Sequence, residues 1–185
     1  MKRVIVLVAL SLLLTARVLV ATAGADYPLV GAAGVYTLVN LHPDEERQRL
    51  YSVNYQQSGL LLRCTKVKLE SLDTRRLKFR VLDNDREYEY IFHNSLREPI
   101  PKHLDKVFGT KCDAKLDGMS EVDRQGVRSG SVLAGMTKRG VTLAIGYPPE
   151  HATPSLNSDI WTYWRNRFGK MTVSFTNGKV TGISR

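Results

Sequence analysis

Between Tyr36 and His93, apolar and charged residues alternate with a period of two, and no helical period competes with it. Alternation of this kind commits a segment to strands with one dry face and one wet face, because successive side chains leave opposite sides of an extended backbone. Val67 and Leu69 alternate with Lys66, Lys68 and Glu70, and Leu77, Phe79 and Val81 with Lys78 and Arg80. After a turn at Asp83-Asn84-Asp85, Tyr88, Tyr90 and Phe92 alternate with Glu87 and Glu89. Tyr51 to Tyr55 reads as another strand. Residues 30–115 are therefore expected to form a small antiparallel β-barrel or rolled sheet.

The pattern changes after Pro99 and Pro101. Leu104 to Leu116 mixes charge with isolated apolar groups and reads as a connection. Ser120 is then a fitting N-cap, with Glu121 and Asp123 in the first turn and Gly130 suited to a left-handed helix end. Thr137 opens a second helix whose Val141, Ala144 and Ile145 share one face, and Gly146 and Pro148 close it. Gly140 weakens that helix by about 1 kcal/mol relative to alanine, so packing must hold it. Residues 150–158 read as a loop. A three-stranded meander follows over Ile160–Arg167, Met171–Phe175 and Lys179–Ile183, with Asn177-Gly178 as a two-residue hairpin turn. Parity places Trp161, Tyr163, Met171, Val173 and Phe175 against the helices and turns Thr162 and Trp164 the other way. The fold class is α+β, with a second domain over residues 120–185.

The first 25 residues predict a compartment. Lys2 and Arg3 precede the apolar run Val4–Leu14, and Ala23-Gly24-Ala25 fits a cleavage site before Asp26, the layout of a secretory signal peptide. Arg17 interrupts the apolar stretch and argues against a permanent span, with a retained anchor as the alternative. The expected product is periplasmic or secreted. Cleavage at that site takes away Lys2, Arg3 and Arg17, so a chain of 27 basic and 18 acidic residues becomes one of 24 and 18, net +6. The excess is spread over Arg63–Lys68, Arg75–Arg80, Lys102–Lys115 and Arg165–Lys170, which reads as a solvated surface or as attraction to acidic envelope material. Nucleic acid is not an expected partner, since no basic and aromatic interleaving of an RNA-binding kind occurs. Cys64 and Cys112, an even pair in an oxidising compartment, favour a disulfide worth roughly 4 kcal/mol from loop entropy, with two buried thiols as the alternative.

Catalytic patterns find little footing. There is no Gly-x-Ser-x-Gly elbow, and Ser129-Gly130-Ser131 follows a helix rather than a strand. The carboxylate pairs Asp83/Asp85 and Glu87/Glu89 fall on a turn and on an exposed strand face. No Cys-x-x-Cys or phosphate-cradling spacing is present, and two distant cysteines with four scattered histidines make no metal site. No enzyme activity, cofactor or metal is expected.

Gly135-Met136-Thr137-Lys138, Gly146-Tyr147-Pro148, Trp161-x-Tyr163 and Phe175-x-Asn177-Gly178-Lys179-Val180, set in a helix-helix-meander order, resemble the SmpA/OmlA (BamE-like) outer-membrane assembly lipoproteins. The resemblance covers residues 120–185 and implies a helix-helix-sheet fold shared with β-lactamase-inhibitor proteins. It also implies a non-catalytic envelope module that contacts proteins or lipid head groups. The family's lipidation cysteine is missing here, and residues 30–115, similar to bacterial SH3-like domains, are additional. The expected function is a cell-envelope binding or scaffold protein engaging a protein partner, with Trp164, Arg165, Arg167 and Tyr147 as candidate contacts. Binding of anionic cell-wall polymer or lipid head groups through the basic β domain is the alternative.

Overall fold

The computed structural model describes residues 26–184, so the signal peptide read over residues 1–25 lies outside the described residues. In chain order the elements are β1 (Val35–Thr37), β2 (Arg49–Tyr51), β3 (Lys66–Leu72), β4 (Arg76–Val81), β5 (Glu87–Ile91), α1 (Ile100–Leu104), β6 (Phe108–Gly109), α2 (Glu121–Ser129), α3 (Lys138–Ile145), β7 (Ile160–Trp164), β8 (Lys170–Thr176) and β9 (Lys179–Ser184). The class is α+β.

Strands β1 to β6 make one curled sheet in the order β2-β5-β4-β3-β1-β6. Its meander pairs Leu69 with Phe79 and Phe79 with Tyr88, so the apolar set of each strand meets the next on one face. Phe79 lies 5.5 Å from the Tyr88 ring and 5.4 Å from Phe108 at the centre of this core. The opposite face carries cross-strand ion pairs: Arg80 meets Glu70, Asp85 and Glu87, and Arg76 and Arg49 share Glu89.

Two expectations are corrected here. The sheet is not wholly antiparallel, because β2 runs parallel to β5. With β1 already on the far side of β3, the open edge of β5 is where β2 joins the sheet. Moreover, Tyr51–Tyr55 is not a strand: β2 ends at Tyr51, and Asn54 takes a left-handed φ of 52° that turns the chain away. The stretch read as a connection also contributes to the core, with Leu104, Val107 and Phe108 buried and β6 paired to β1. Cys64 and Cys112 form a disulfide, which fastens the chain after β6 to the loop before β3.

The second core gathers α2, α3 and the meander β7-β8-β9. Ser120 and Thr137 cap the two helices as expected, each accepting from a first-turn amide. Both caps converge on buried Asp123, which accepts from Ser120 Oγ at 2.8 Å and from the Thr137 amide at 2.8 Å. Gly140 of α3 lies directly over that carboxylate, and a Cβ there would overlap its Oδ1. Asn177 and Gly178, with φ of 51° and 73°, form the β8–β9 turn. Trp161, Tyr163, Val173 and Phe175 are buried beneath the helices.

Helix propensity alone says that Gly140→Ala stabilises by about 1 kcal/mol. The close approach of Asp123 reverses the sign: we expect destabilisation of about 2 kcal/mol or more, read from urea unfolding midpoints.

Candidate functional site

Helix α3 points its C-terminal end at the first core, and the last four carbonyls of a helix have no partner inside it. Here each finds one. Thr142 O accepts from the Gly146 amide at 2.8 Å, and Leu143 O from the Asn40 amide at 3.0 Å. Ala144 O accepts from Asn40 Nδ2 at 3.1 Å, with His42 Nε2 at 3.4 Å. Ile145 O accepts from Asn54 Nδ2 at 2.8 Å and Gln56 Nε2 at 3.0 Å. Asn40, fully buried, also donates to Val127 O of α2 at 2.7 Å and accepts from the Arg63 amide at 2.8 Å. Gly146 then leaves the helix at φ 77°, close against the Asn54 amide, where a side chain has no room.

That junction forms one wall of a cleft between the two cores. The segment Gly146–His151 faces the Tyr51–Tyr55 turn and the loop around Arg97, with Tyr51 and Tyr55 packed at a ring separation of 5.1 Å. The cleft has about 50 Å³ of open volume. Pockets for small molecules are typically about 300 Å³ or larger, so this one takes a few waters or a single inserted side chain.

A buried polar chain closes its floor. Glu98 Oε1 is 2.9 Å from His103 Nδ1, and Tyr90 Oη is 2.8 Å from His103 Nε2. A carboxylate only accepts, so Nδ1 donates to Glu98 and Nε2 accepts from the Tyr90 hydroxyl. Lys106 Nζ completes the cluster, 2.7 Å from Glu98 Oε2 and 3.2 Å from Glu150. Burial holds the His103 imidazole below its ordinary pKa of 6.5. Burial works to raise the Glu98 carboxyl, but the hydrogen bonds from Lys106 and His103 prevail and hold it below 4.5. Tyr90 is driven well above its usual range by burial. With the phenol held protonated by burial, the group clamps α1 to β5. Among the described residues, no three of His, Cys, Asp and Glu gather closely enough to hold a metal ion.

The candidate contacts divide between two places. Tyr147 lines the cleft, its ring 5.7 Å from the Lys106 ammonium. Trp164, Arg165 and Arg167 lie together at the end of the β7–β8 hairpin. Trp164 is half-buried between the His151 ring at 6.3 Å and the Lys170 ammonium at 4.9 Å, and its carbonyl accepts from the Gln56 amide at 2.7 Å. The Tyr55–Gln56 segment and the 150–158 loop thus meet it from two sides. Its indole Nε1 is buried with no acceptor among the described residues. Arg165 and Arg167 are exposed. Sequence reading missed Asn40, Asn54, Gln56 and the Tyr90–His103–Glu98 chain, since isolated polar residues in loops carry no period. Phe168 was missed as well, and its place as an aromatic inside a basic run is the signal that could have found it.

Compared with known proteins, the chain matches no family model, no curated protein and no solved structure. No helix of the described residues is long and apolar enough to cross a membrane.

The histidines set a pH dependence. Burial lowers His103 and, first among its causes, His42 as well. The unfolded chain therefore binds protons that the fold refuses, and stability is full above about pH 6.5 and falls as the solution is acidified below it. Glu98, also lowered, adds a second loss below 4.5. We expect the melting temperature to drop between about pH 7 and pH 5, and the drop to be smaller in His103→Gln, where only His42 and His151 still titrate with lowered values.

Proposed function

We propose that this chain is a non-catalytic cell-envelope protein that binds or scaffolds a protein partner. The observation that carries this reading is the cleft between the cores, walled by Tyr51, Tyr55, Tyr147 and His151 and too small for a metabolite. A partner that inserts one side chain suits such a site better than a diffusing substrate does. A disulfide between Cys64 and Cys112 supports a periplasmic or secreted setting, because such bonds persist outside the reducing cytoplasm.

The finer architecture belongs to the same proposal. An SH3-like first domain over residues 30–115 is supported by the short strands of the curled sheet. A BamE-like domain over residues 120–185 is supported by the order of two capped helices and a three-stranded meander. The alternative, anionic polymer bound through the basic β domain, draws less support. Arg49, Arg76, Arg80 and Arg86 are all ion-paired, which leaves Lys66, Lys68, Arg75 and Lys78 as that sheet's cations without an ion-pair partner among the described residues.

Capture from envelope extract at low and physiological salt tests the reading. We expect a protein retained at both, because a packed interface responds weakly to ionic strength, and its loss in Tyr147→Ala. Retention of acidic polymer alone, released by the higher salt, would contradict it.

A further inference from the structure

Cations without ion-pair partners are spread over the described residues, and three of them flank an exposed aromatic ring at the end of the β7–β8 hairpin. Arg165, Arg167 and Lys170 take part in none of the ion pairs among the described residues. Between them Phe168 stands 80% exposed, the most exposed of the large apolar side chains among the described residues. The turn is built rather than loose. Asn166 Oδ1 accepts from the Phe168 and Gly169 amides at 2.9 and 2.8 Å, and the Arg165 amide donates to Gly169 O at 2.8 Å. Two cations are held at the level of aromatic rings, Arg167 at 4.6 Å over Phe168 and Lys170 at 4.9 Å over Trp164.

We propose that this hairpin end is an interfacial anchor for an anionic phospholipid surface. Phe168 enters the acyl boundary, while Arg165, Arg167 and Lys170 meet headgroup phosphates. The shape selects the occupant. Phe168 stands out on a convex turn and needs an apolar medium, whereas soluble acidic polymer offers charge alone. A bilayer surface supplies hydrocarbon and anionic phosphate within a few ångströms of each other, and aromatic residues beside cations are the side chains that settle at that depth. Because the turn is already braced, little ordering cost attends binding. The site is separate from the cleft, so the protein could hold a partner there while the hairpin faces a membrane.

The test uses the full chain with vesicles of phosphatidylcholine, with and without phosphatidylserine, carrying brominated acyl chains. Since the sequence before residue 26 is itself apolar, the readout must be local: bromine quenching of Trp164, whose neighbour Trp161 is fully buried. We expect quenching only with the anionic vesicles. Phe168→Ser should weaken the apparent affinity about ten-fold or more, by the transfer free energy of one aromatic ring. Arg165→Gln with Arg167→Gln should weaken it about 30-fold, at roughly five-fold per charge near an anionic surface. All these side chains are exposed, so the melting temperature should stay unchanged and serves as the folding control. Three results would overturn the proposal: equal quenching by neutral vesicles, a Phe168→Ser variant that binds like the parent, or vesicle binding with no quenching of Trp164. Capture of a protein through Phe168, with no response to vesicles, would also overturn it.

Discussion

The carbonyl oxygens at the end of α3 determine how the two cores meet. A helix terminus buried without partners costs on the order of 1–3 kcal/mol for each unsatisfied group. In this chain those groups are buried against the first core, and three of the four are served by Asn40, Asn54 and Gln56 from the other half. The loops of the first half that carry these donors and the helix that needs them complete one another's hydrogen bonding. Leu143, packed against both cores, adds apolar contact at the same place.

The cleft is a consequence of that junction. Asn54 also donates to Tyr147 O at 2.8 Å, so the chain leaving α3 is held as far as Tyr147 before it turns through Pro148 and Pro149. This fixes Tyr147 and His151 opposite the Tyr51–Tyr55 turn, and His151 in turn stacks beside Trp164. The Gln56 amide, one residue past the turn, bonds to Trp164 O and occupies the outer edge of β7. A loop that looks like a spacer between strands therefore positions the aromatic walls on both sides.

Much of this fold could be read from sequence where local physics decides the outcome. Alternation located β3, β4, β5, β7, β8 and β9, and the caps at Ser120, Thr137, Gly130 and Gly146 marked the helix ends because capping is a local requirement. Non-local contacts were less legible. Nothing local says that Asn40 will meet Ala144, 104 residues away, or that Tyr90, Glu98 and His103 will line up across a strand, a loop and a one-turn helix. The parallel β2–β5 pair and the buried Phe108 belong to the same kind, since each depends on which sheet edge remains open after the meander has formed. Gly140 shows the two levels in conflict: poor for its helix and required by its neighbour.

If the α3 terminus joins the halves into one unit, then both cores should lose structure together. Amide exchange measured by NMR during urea titration, on the parent and on Asn40→Ala, tests this most directly. The account predicts that slow amides of β4 and of β8 share one opening free energy in the parent, and that Asn40→Ala lowers both by about 2–4 kcal/mol through three lost hydrogen bonds. Separate opening free energies in the parent, or a variant that weakens only the β4 side, would contradict it.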